Sequence, residues 1–189
     1  MFKTILKWSG VALGVFVIGV LGLALTQPDQ FRVQRSITIN APQAVVFELV
    51  NDYRNWSAWS PWEKKDPAMK RSFSGPASGK GAKYAWDGNG EVGKGSMLIT
   101  DATPAQVSLN LDFEKPFEGH NKVVFAMESK GLTTDVTWSM SGPSPFITKV
   151  IQVFCNMDAM IGAEFDKGLA AMKAEAEKKA GPKQAQVQG

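Results

Sequence analysis

The chain has 189 residues, with 21 basic and 18 acidic side chains, one histidine and one cysteine. A single cysteine excludes an intrachain disulfide and any metal site built on paired cysteines. Lys3 and Lys7 supply two of the three net positive charges, so the remainder is nearly neutral and lacks the basic surface that nucleic-acid binding requires.

The N-terminal 28 residues are predicted to form a transmembrane anchor. No charged residue occurs between Trp8 and Pro28, and most of this stretch is aliphatic. A helix from Trp8 to Leu25 would be ~27 Å long, close to the hydrocarbon thickness of a bilayer. Because Lys3 and Lys7 precede it, the positive-inside rule keeps the N-terminus in the cytoplasm. We expect a single-pass protein of the bacterial cytoplasmic (inner) membrane, with its domain on the periplasmic side.

A cleaved signal peptide is the alternative for the same segment. Gly22-Leu23-Ala24 offers the small residues that a signal peptidase needs. The apolar run is longer than the ~7–15 residues of a usual signal core, which favours a retained anchor. Both alternatives carry the domain out of the cytoplasm.

The rest of the chain is long enough for one domain with a proper core. We place this domain at residues 29–180. Gly181-Pro182 ends the last helical pattern, so residues 181–189 are expected to be a disordered tail.

The domain begins with a predicted strand over residues 31–40, where apolar and polar side chains alternate. Arg35 falls on the apolar face together with Val33 and Ile37. A buried arginine needs an anionic partner, which is either a carboxylate of the protein or the head group of a ligand. An internal ion pair or a bulged strand is favoured over ligand recognition, because an unpaired buried charge is costly.

A short helix is predicted next, with Pro42 in its first turn and an apolar stripe through about Asn51. Asp52 is a candidate cap for a second helical turn that begins near Tyr53 and ends at Pro61.

Six further strand-like segments follow, separated by Gly, Pro or Asp, and predict an antiparallel meander: 70–74, 83–87, 96–100, 106–113, 122–128 and 133–140. Pro143 and Pro145 end this region. From Val150 to Met172, apolar residues then recur every three or four positions. This spacing predicts one long amphipathic helix over residues 146–179, packed on the sheet.

Several short motifs occur in a specific order along the chain: Ile37-Thr-Ile-Asn-Ala-Pro42, Asp52 with Trp56, Trp59, Pro61 and Trp62, Gly79-Lys-Gly-Ala-Lys-Tyr84-Ala-Trp86, Gly93-Lys-Gly-Ser-Met-Leu-Ile99, Phe113-Glu-Lys-Pro-Phe117 and Thr134-Asp-Val-Thr-Trp138. With these motifs the chain resembles the START / polyketide cyclase-like superfamily (SRPBCC), as a membrane-anchored bacterial member. The resemblance covers residues 31–179. It implies an α+β helix-grip fold, in which a curved antiparallel sheet wraps around a long C-terminal helix, here preceded by a transmembrane helix.

The resemblance also implies an internal cavity that binds or transports a lipid-like or other hydrophobic small molecule. Flexible methionines beside rigid aromatic residues suit such a cavity, whereas the alternative is that they fill a solid core. The candidate ligand-binding residues are Arg35, Trp59, Trp62, Tyr84, Trp86, Phe113, Phe125, Met127, Trp138, Met140, Phe154, Met157 and Ile161.

Catalytic groups are scarce in the sequence. His120 lies in a polar turn and is expected to be solvent-exposed, and Cys155 is expected to be a small buried thiol. No serine elbow or pair of histidines indicates nucleophilic or metal chemistry. We therefore expect no catalytic residue, metal or cofactor.

Two other functions remain open. A cyclase or dehydratase would use a carboxylate such as Asp135 or Glu128 as acid and base inside the pocket. An envelope protein-interaction module would instead combine a filled interior with a large exposed apolar patch. The sequence names no protein partner.

Overall fold

The computed structural model describes residues 2–181, with side chains described for residues 8–10 and 12–181. Its elements, in chain order, are α1 (Phe2–Thr26), β1 (Gln30–Ile39), α2 (Gln43–Asn51), a 3₁₀ turn (Tyr53–Ala58), α3 (Pro61–Lys65), β2 (Lys70–Ser74), β3 (Lys83–Asp87), β4 (Lys94–Thr103), β5 (Gln106–Lys115), β6 (Gly119–Lys130), β7 (Thr133–Pro143), α4 (Phe146–Phe154) and α5 (Met157–Ala180).

The seven strands form one antiparallel sheet in the order β1-β7-β6-β5-β4-β3-β2. The first strand pairs with the last, so that Arg35 lies opposite Trp138. The six consecutive strands β2 to β7 are the predicted meander. Alternating side chains on each strand give the sheet one inner, apolar face.

Helix α5 packs on the inner face of the sheet and contacts β1 along its length. Its buried apolar residues recur at three- to four-residue spacing: Phe165, Leu169, Met172 and Ala176. Gly168 permits the close approach, because a Cβ there would lie 2.8 Å from Cζ3 of Trp138. The chain therefore has the predicted α+β helix-grip fold.

The two short helices close one end of the sheet. Val46, Leu49 and Val50 bury the inner side of α2. As predicted, Asp52 caps the following turn, since its carboxylate accepts a hydrogen bond from the Arg54 N–H at 2.9 Å. Pro61 begins α3 rather than only ending this turn, consistent with the preference of proline for the first helical position.

The single helix predicted over residues 146–179 is two helices. Helices α4 and α5 are bent by 84° at Cys155 and Asn156. Cys155 is extended, and the Asn156 side chain caps α5 by accepting a hydrogen bond from the Ala159 N–H at 3.0 Å. Cys155 is exposed, so the prediction of a buried thiol was wrong. The bend turns α4 away from the sheet.

Helix α1 is long and apolar enough to cross a membrane over Trp8–Thr26, with a mean hydropathy of 2.2. A signal sequence near an N-terminus has the same properties. The end of α1 contacts α4, and Ala24 is fully buried there. At the other end of the chain, α5 ends at Ala180 with Gly181 as its C-cap, and the rest of the expected tail lies outside the described residues.

Candidate ligand-binding cavity

A cavity of about 760 Å³ lies between the inner face of the sheet and helix α5. This volume falls within the ~300–1,000 Å³ of typical small-molecule sites. Its walls are mainly aromatic, aliphatic and methionine side chains, contributed by the 3₁₀ turn, α3, strands β1 and β3 to β7, helix α5 and the loops before β2 and after β3: Phe31, Trp56, Trp62, Met69, Tyr84, Trp86, Val92, Met97, Leu111, Phe113, Val123, Trp138, Met140, Met157, Ile161 and Phe165.

Position along each strand decides whether an inward side chain fills the core or lines the cavity. On β5, Leu109 is fully buried in the core, whereas Leu111, two residues further, lines the cavity. On β6, Phe125 belongs to the core and Val123 to the cavity. The inner face of the sheet is thus solid at one end and hollow at the other.

Eight of the thirteen candidate residues line this cavity: Trp62, Tyr84, Trp86, Phe113, Trp138, Met140, Met157 and Ile161. Trp138 is central among them. Its indole stacks on Phe165 of α5, with ring centroids 4.1 Å apart, and makes an edge contact with Trp62 at 5.7 Å. These contacts hold the aromatic wall in fixed orientations. Their role in ligand binding stays a prediction.

Three candidate residues lie in the solid part of the interior instead of the cavity wall. Trp59 and Phe125 are fully buried, with ring centroids 5.9 Å apart, and Met127 is 2% exposed. The Trp59 indole N–H donates to the carbonyl of Leu49 at 2.9 Å. All three fill the end of the domain that α2 closes, which explains why they do not reach the cavity.

Arg35 also lies away from the cavity. Its guanidinium donates to the Asp158 carboxylate at 3.0 and 3.1 Å, and its Nε lies 3.5 Å from Oδ2 of Asp166. The hydrogen bond with Arg35 lowers the pKa of Asp158. The expected internal ion pair is therefore present, and it joins β1 to α5.

Phe154 is the fifth candidate outside the cavity. It is 63% exposed at the end of α4, because the bend at Cys155 and Asn156 directs this helix away from the sheet.

A polar cluster lies on the cavity wall at Tyr84. The Tyr84 hydroxyl donates to Oε1 of Glu63 at 2.6 Å, and the Arg71 Nε donates to Oε2 of the same carboxylate at 2.7 Å. Burial, and then the hydrogen bond to Glu63, raise the pKa of Tyr84. The sequence did not indicate a role for Glu63, because a single carboxylate on a five-residue helix forms no recognisable pattern.

One polar group of the wall has no partner. The Trp138 indole N–H is buried and makes no hydrogen bond to any described residue. An unsatisfied buried donor costs ~1–3 kcal/mol. The nitrogen has almost no accessible surface, so a ligand oxygen would reach it only after neighbouring side chains move.

The cavity opens to the surface beside exposed polar side chains. Asp29, Glu91, Glu118 and His120 line this mouth. His120 is exposed, as predicted, and its Nδ1 lies 2.7 Å from Oδ1 of Asp112. This hydrogen bond raises the pKa of His120 above its ordinary value of 6.5.

The carboxylates suggested for an enzyme do not face the cavity. Asp135 alternates with the inward Val136 and accepts a hydrogen bond from the Thr38 hydroxyl at 2.6 Å. Glu128 is exposed and pairs with Lys130. Within residues 2–181, no group of three or more His, Cys, Asp or Glu side chains is arranged to hold a metal ion.

Comparison with known proteins gives a consistent result. Residues 30–177 match the model of the family described as polyketide cyclase / dehydrase and lipid transport. The Zhui aromatase/cyclase of Streptomyces sp. R1128 has a similar structure, with a TM-score of 0.59 and 15% identity, covering 81% of this chain and 97% of that chain. The Aha1 dimer of Colwellia psychrerythraea gives 0.57 and 17%, covering 80% and 99%. No curated protein matches the sequence.

Proposed function

Because the chain belongs to the polyketide cyclase / dehydrase and lipid transport family, we propose that its cavity binds or transports a lipid-like or other hydrophobic small molecule while α1 tethers the domain to a membrane. The open, largely apolar cavity is the observation that carries this proposal. Apolar burial contributes roughly 25 cal/mol per Å² before the costs of association. The affinity of such a site comes from burying apolar ligand surface against the cavity walls rather than from interactions between charges.

The polar groups of the wall would orient the ligand. The Trp138 N–H is a donor without a protein partner, whereas the Tyr84 hydroxyl is already engaged by Glu63. A ligand with an apolar body and one oxygen acceptor, such as a fatty acid, a polyketide or a sterol, would match this distribution once side-chain movement exposes the buried N–H to the cavity.

The proposal also includes the location of the domain at a membrane. Helix α1 would act as the anchor, residues 29–180 as the binding domain, and the positive-inside rule would put the domain on the periplasmic side of a bacterial inner membrane. A ligand drawn from that bilayer would have a short path to the cavity.

An enzyme of the cyclase or dehydratase type is the alternative, and Glu63 is the observation that favours it. This carboxylate lies beside Tyr84 on the cavity wall. One of its oxygens accepts from Tyr84 and the other from Arg71, so a ligand would have to share the carboxylate with these two donors. The binding function therefore agrees better with the geometry.

Energy transfer from the cavity tryptophans tests the proposal. The full chain, held in amphipol because detergent alkyl chains would compete, is titrated with the fluorescent fatty acid cis-parinaric acid. Saturable transfer from the protein to the probe, reversed by unlabelled fatty acid, is the expected result. Absence of saturable transfer for this probe, and for fluorescent sterol and polycyclic probes, would contradict it.

A further inference from the structure

Helix α4 carries an exposed apolar surface beside the cavity mouth. The structure buries none of its residues, and four large side chains are 39–63% exposed: Phe146, Ile147, Ile151 and Phe154. We call these four residues the α4 surface. Single exposed apolar residues are ordinary. Four of them within nine residues indicate a surface that contacts a membrane or another apolar surface.

The charges of α4 are turned away from this surface. Lys149 is the only charged residue of the helix, and its ammonium pairs with Asp29, which leaves the lysine side chain only 13% exposed. The outer side of α4 is consequently free of charge along its length. An uncharged apolar side of this kind is the part of an interfacial helix that lies in the membrane, ~5–10 Å deep.

The α4 surface continues the surface of α1. The last turns of α1 contact α4, with Ala24 fully buried, while Leu21, Leu23 and Leu25 stay exposed. Helix α1 ends at Thr26 and β1 begins at Gln30, so a fully extended connection spans at most about 14 Å. If α1 crosses a bilayer, α4 cannot lie far from its surface.

The cavity mouth lies at this same end of the domain. Asp29 and Phe31, at the start of β1, and Thr148, on α4, all line the cavity. Phe117, 67% exposed, precedes the mouth residue Glu118 in the turn between β5 and β6. Apolar side chains therefore flank the opening.

From this arrangement we propose that the α4 surface and Phe117 insert into the bilayer that α1 crosses, so that the cavity opens onto lipid rather than onto water. Ligand then passes between bilayer and cavity along the apolar side chains of α4. The inference rests on the tethering part of the proposed function, but not on the identity of the ligand.

The natural cysteine provides the test. Cys155 is the only cysteine, is exposed and follows Phe154, so a spin label attached to it reports the environment of α4. The full chain is labelled and reconstituted in nanodiscs of phosphatidylethanolamine and phosphatidylglycerol. Collision rates of the label with oxygen, which is enriched in lipid, and with a water-soluble nickel chelate give its depth.

The control label lies at the far end of the domain. It is placed by Ser129→Cys in a Cys155→Ser background, because Ser129 is exposed near the end of β6, whereas the mouth lies at the start of that strand. We expect the oxygen-to-nickel ratio to rise in nanodiscs for the label at position 155 and not for the label at position 129. The double substitution I147E/I151E should abolish the rise, and Leu132→Glu, a matched exposed residue at the far end, should not.

Three results would overturn the inference. The position 155 label could remain as accessible to nickel as in amphipol, its protection could persist in I147E/I151E, or it could arise from a second copy, which dipolar broadening between labels would reveal. Failure of the tether itself is a separate result, since the chain would then not co-purify with the nanodiscs. Loss of ligand binding is measured independently with cis-parinaric acid.

Discussion

The rings of Tyr53 and Tyr84 lie 5.7 Å apart, yet only one of the two hydroxyls has a hydrogen-bond partner. The Tyr84 hydroxyl donates to Glu63, whereas the Tyr53 hydroxyl is buried without a partner among the described residues. These are the only two tyrosines of the chain. They form a matched pair, because the same substitution removes a satisfied hydroxyl from one site and an unsatisfied hydroxyl from the other.

We predict that Tyr84→Phe lowers the free energy of unfolding by ~1.5–3 kcal/mol, the range for a hydrogen bond to a charged group. Tyr53→Phe should be neutral or stabilising, since it removes a buried hydroxyl that has no partner. Urea unfolding of both variants, followed by circular dichroism, measures the difference. Equal losses in the two variants would show that the Glu63 hydrogen bond contributes nothing specific.

The second prediction uses the two inward leucines of β5. Leu111→Trp should lower ligand affinity by at least roughly tenfold, about 1.4 kcal/mol, because the indole occupies cavity volume. Stability should change little, since the cavity accommodates the added atoms. Leu109→Trp places the same side chain in the packed core, where overpacking costs ~1–3 kcal/mol or more. Thermal unfolding and cis-parinaric acid titration distinguish the two effects, and a stable Leu111→Trp variant with unchanged affinity would place the ligand elsewhere.

A third prediction concerns the unpartnered indole N–H of Trp138. If ligand binding exposes this N–H to the cavity, Trp138→Phe should weaken binding of an apolar ligand that carries an oxygen acceptor by about 2–10-fold, the equivalent of one net hydrogen bond of ~0.5–1.5 kcal/mol. A hydrocarbon of the same length controls for the smaller ring, because it cannot accept the hydrogen bond. Isothermal titration of both ligands tests the difference, and equal losses would assign the effect to packing alone.

The fourth prediction is a pH dependence at the cavity mouth. His120 is the only histidine, so its imidazole resonances titrate without overlap. Its pKa should lie above 6.5 and should return toward this value in Asp112→Asn, since the hydrogen bond to Asp112 favours the protonated imidazole. A raised pKa in the folded state means that this stabilisation is fully present below pH 6.5 and is lost as pH rises through the folded-state pKa. An NMR titration that gives the same pKa in both proteins would refute the pairing.

The sequence predicted the strands well because a period of two is maintained wherever one face of the sheet is buried. It did not predict the break between α4 and α5. Apolar residues keep helical spacing through Val150, Phe154, Met157 and Ile161, so the pattern passes across the bend without interruption. The local cue was Asn156, a favourable N-cap residue within an apolar run.

The sequence also did not predict which inward side chains fill the core and which line the cavity. Phe125 and Trp138 have similar chemistry and are paired across β6 and β7, yet only Trp138 lines the cavity. Periodicity identifies which face a side chain occupies, but not whether another element fills the space opposite. That depends on how α2, α3 and α5 meet the sheet, which is a property of the assembled fold.

Native mass spectrometry of the full chain, purified from a membrane-containing host and combined with lipid extraction, shows whether the cavity holds a hydrophobic molecule. We predict a retained apolar molecule that is displaced by added fatty acid or sterol. It should be lost in Leu111→Trp, which separates cavity binding from lipid held by α1. A mass without bound ligand, in a protein that also rejects added fatty acids, lipids and sterols, would contradict ligand binding in the cavity and favour an interaction module.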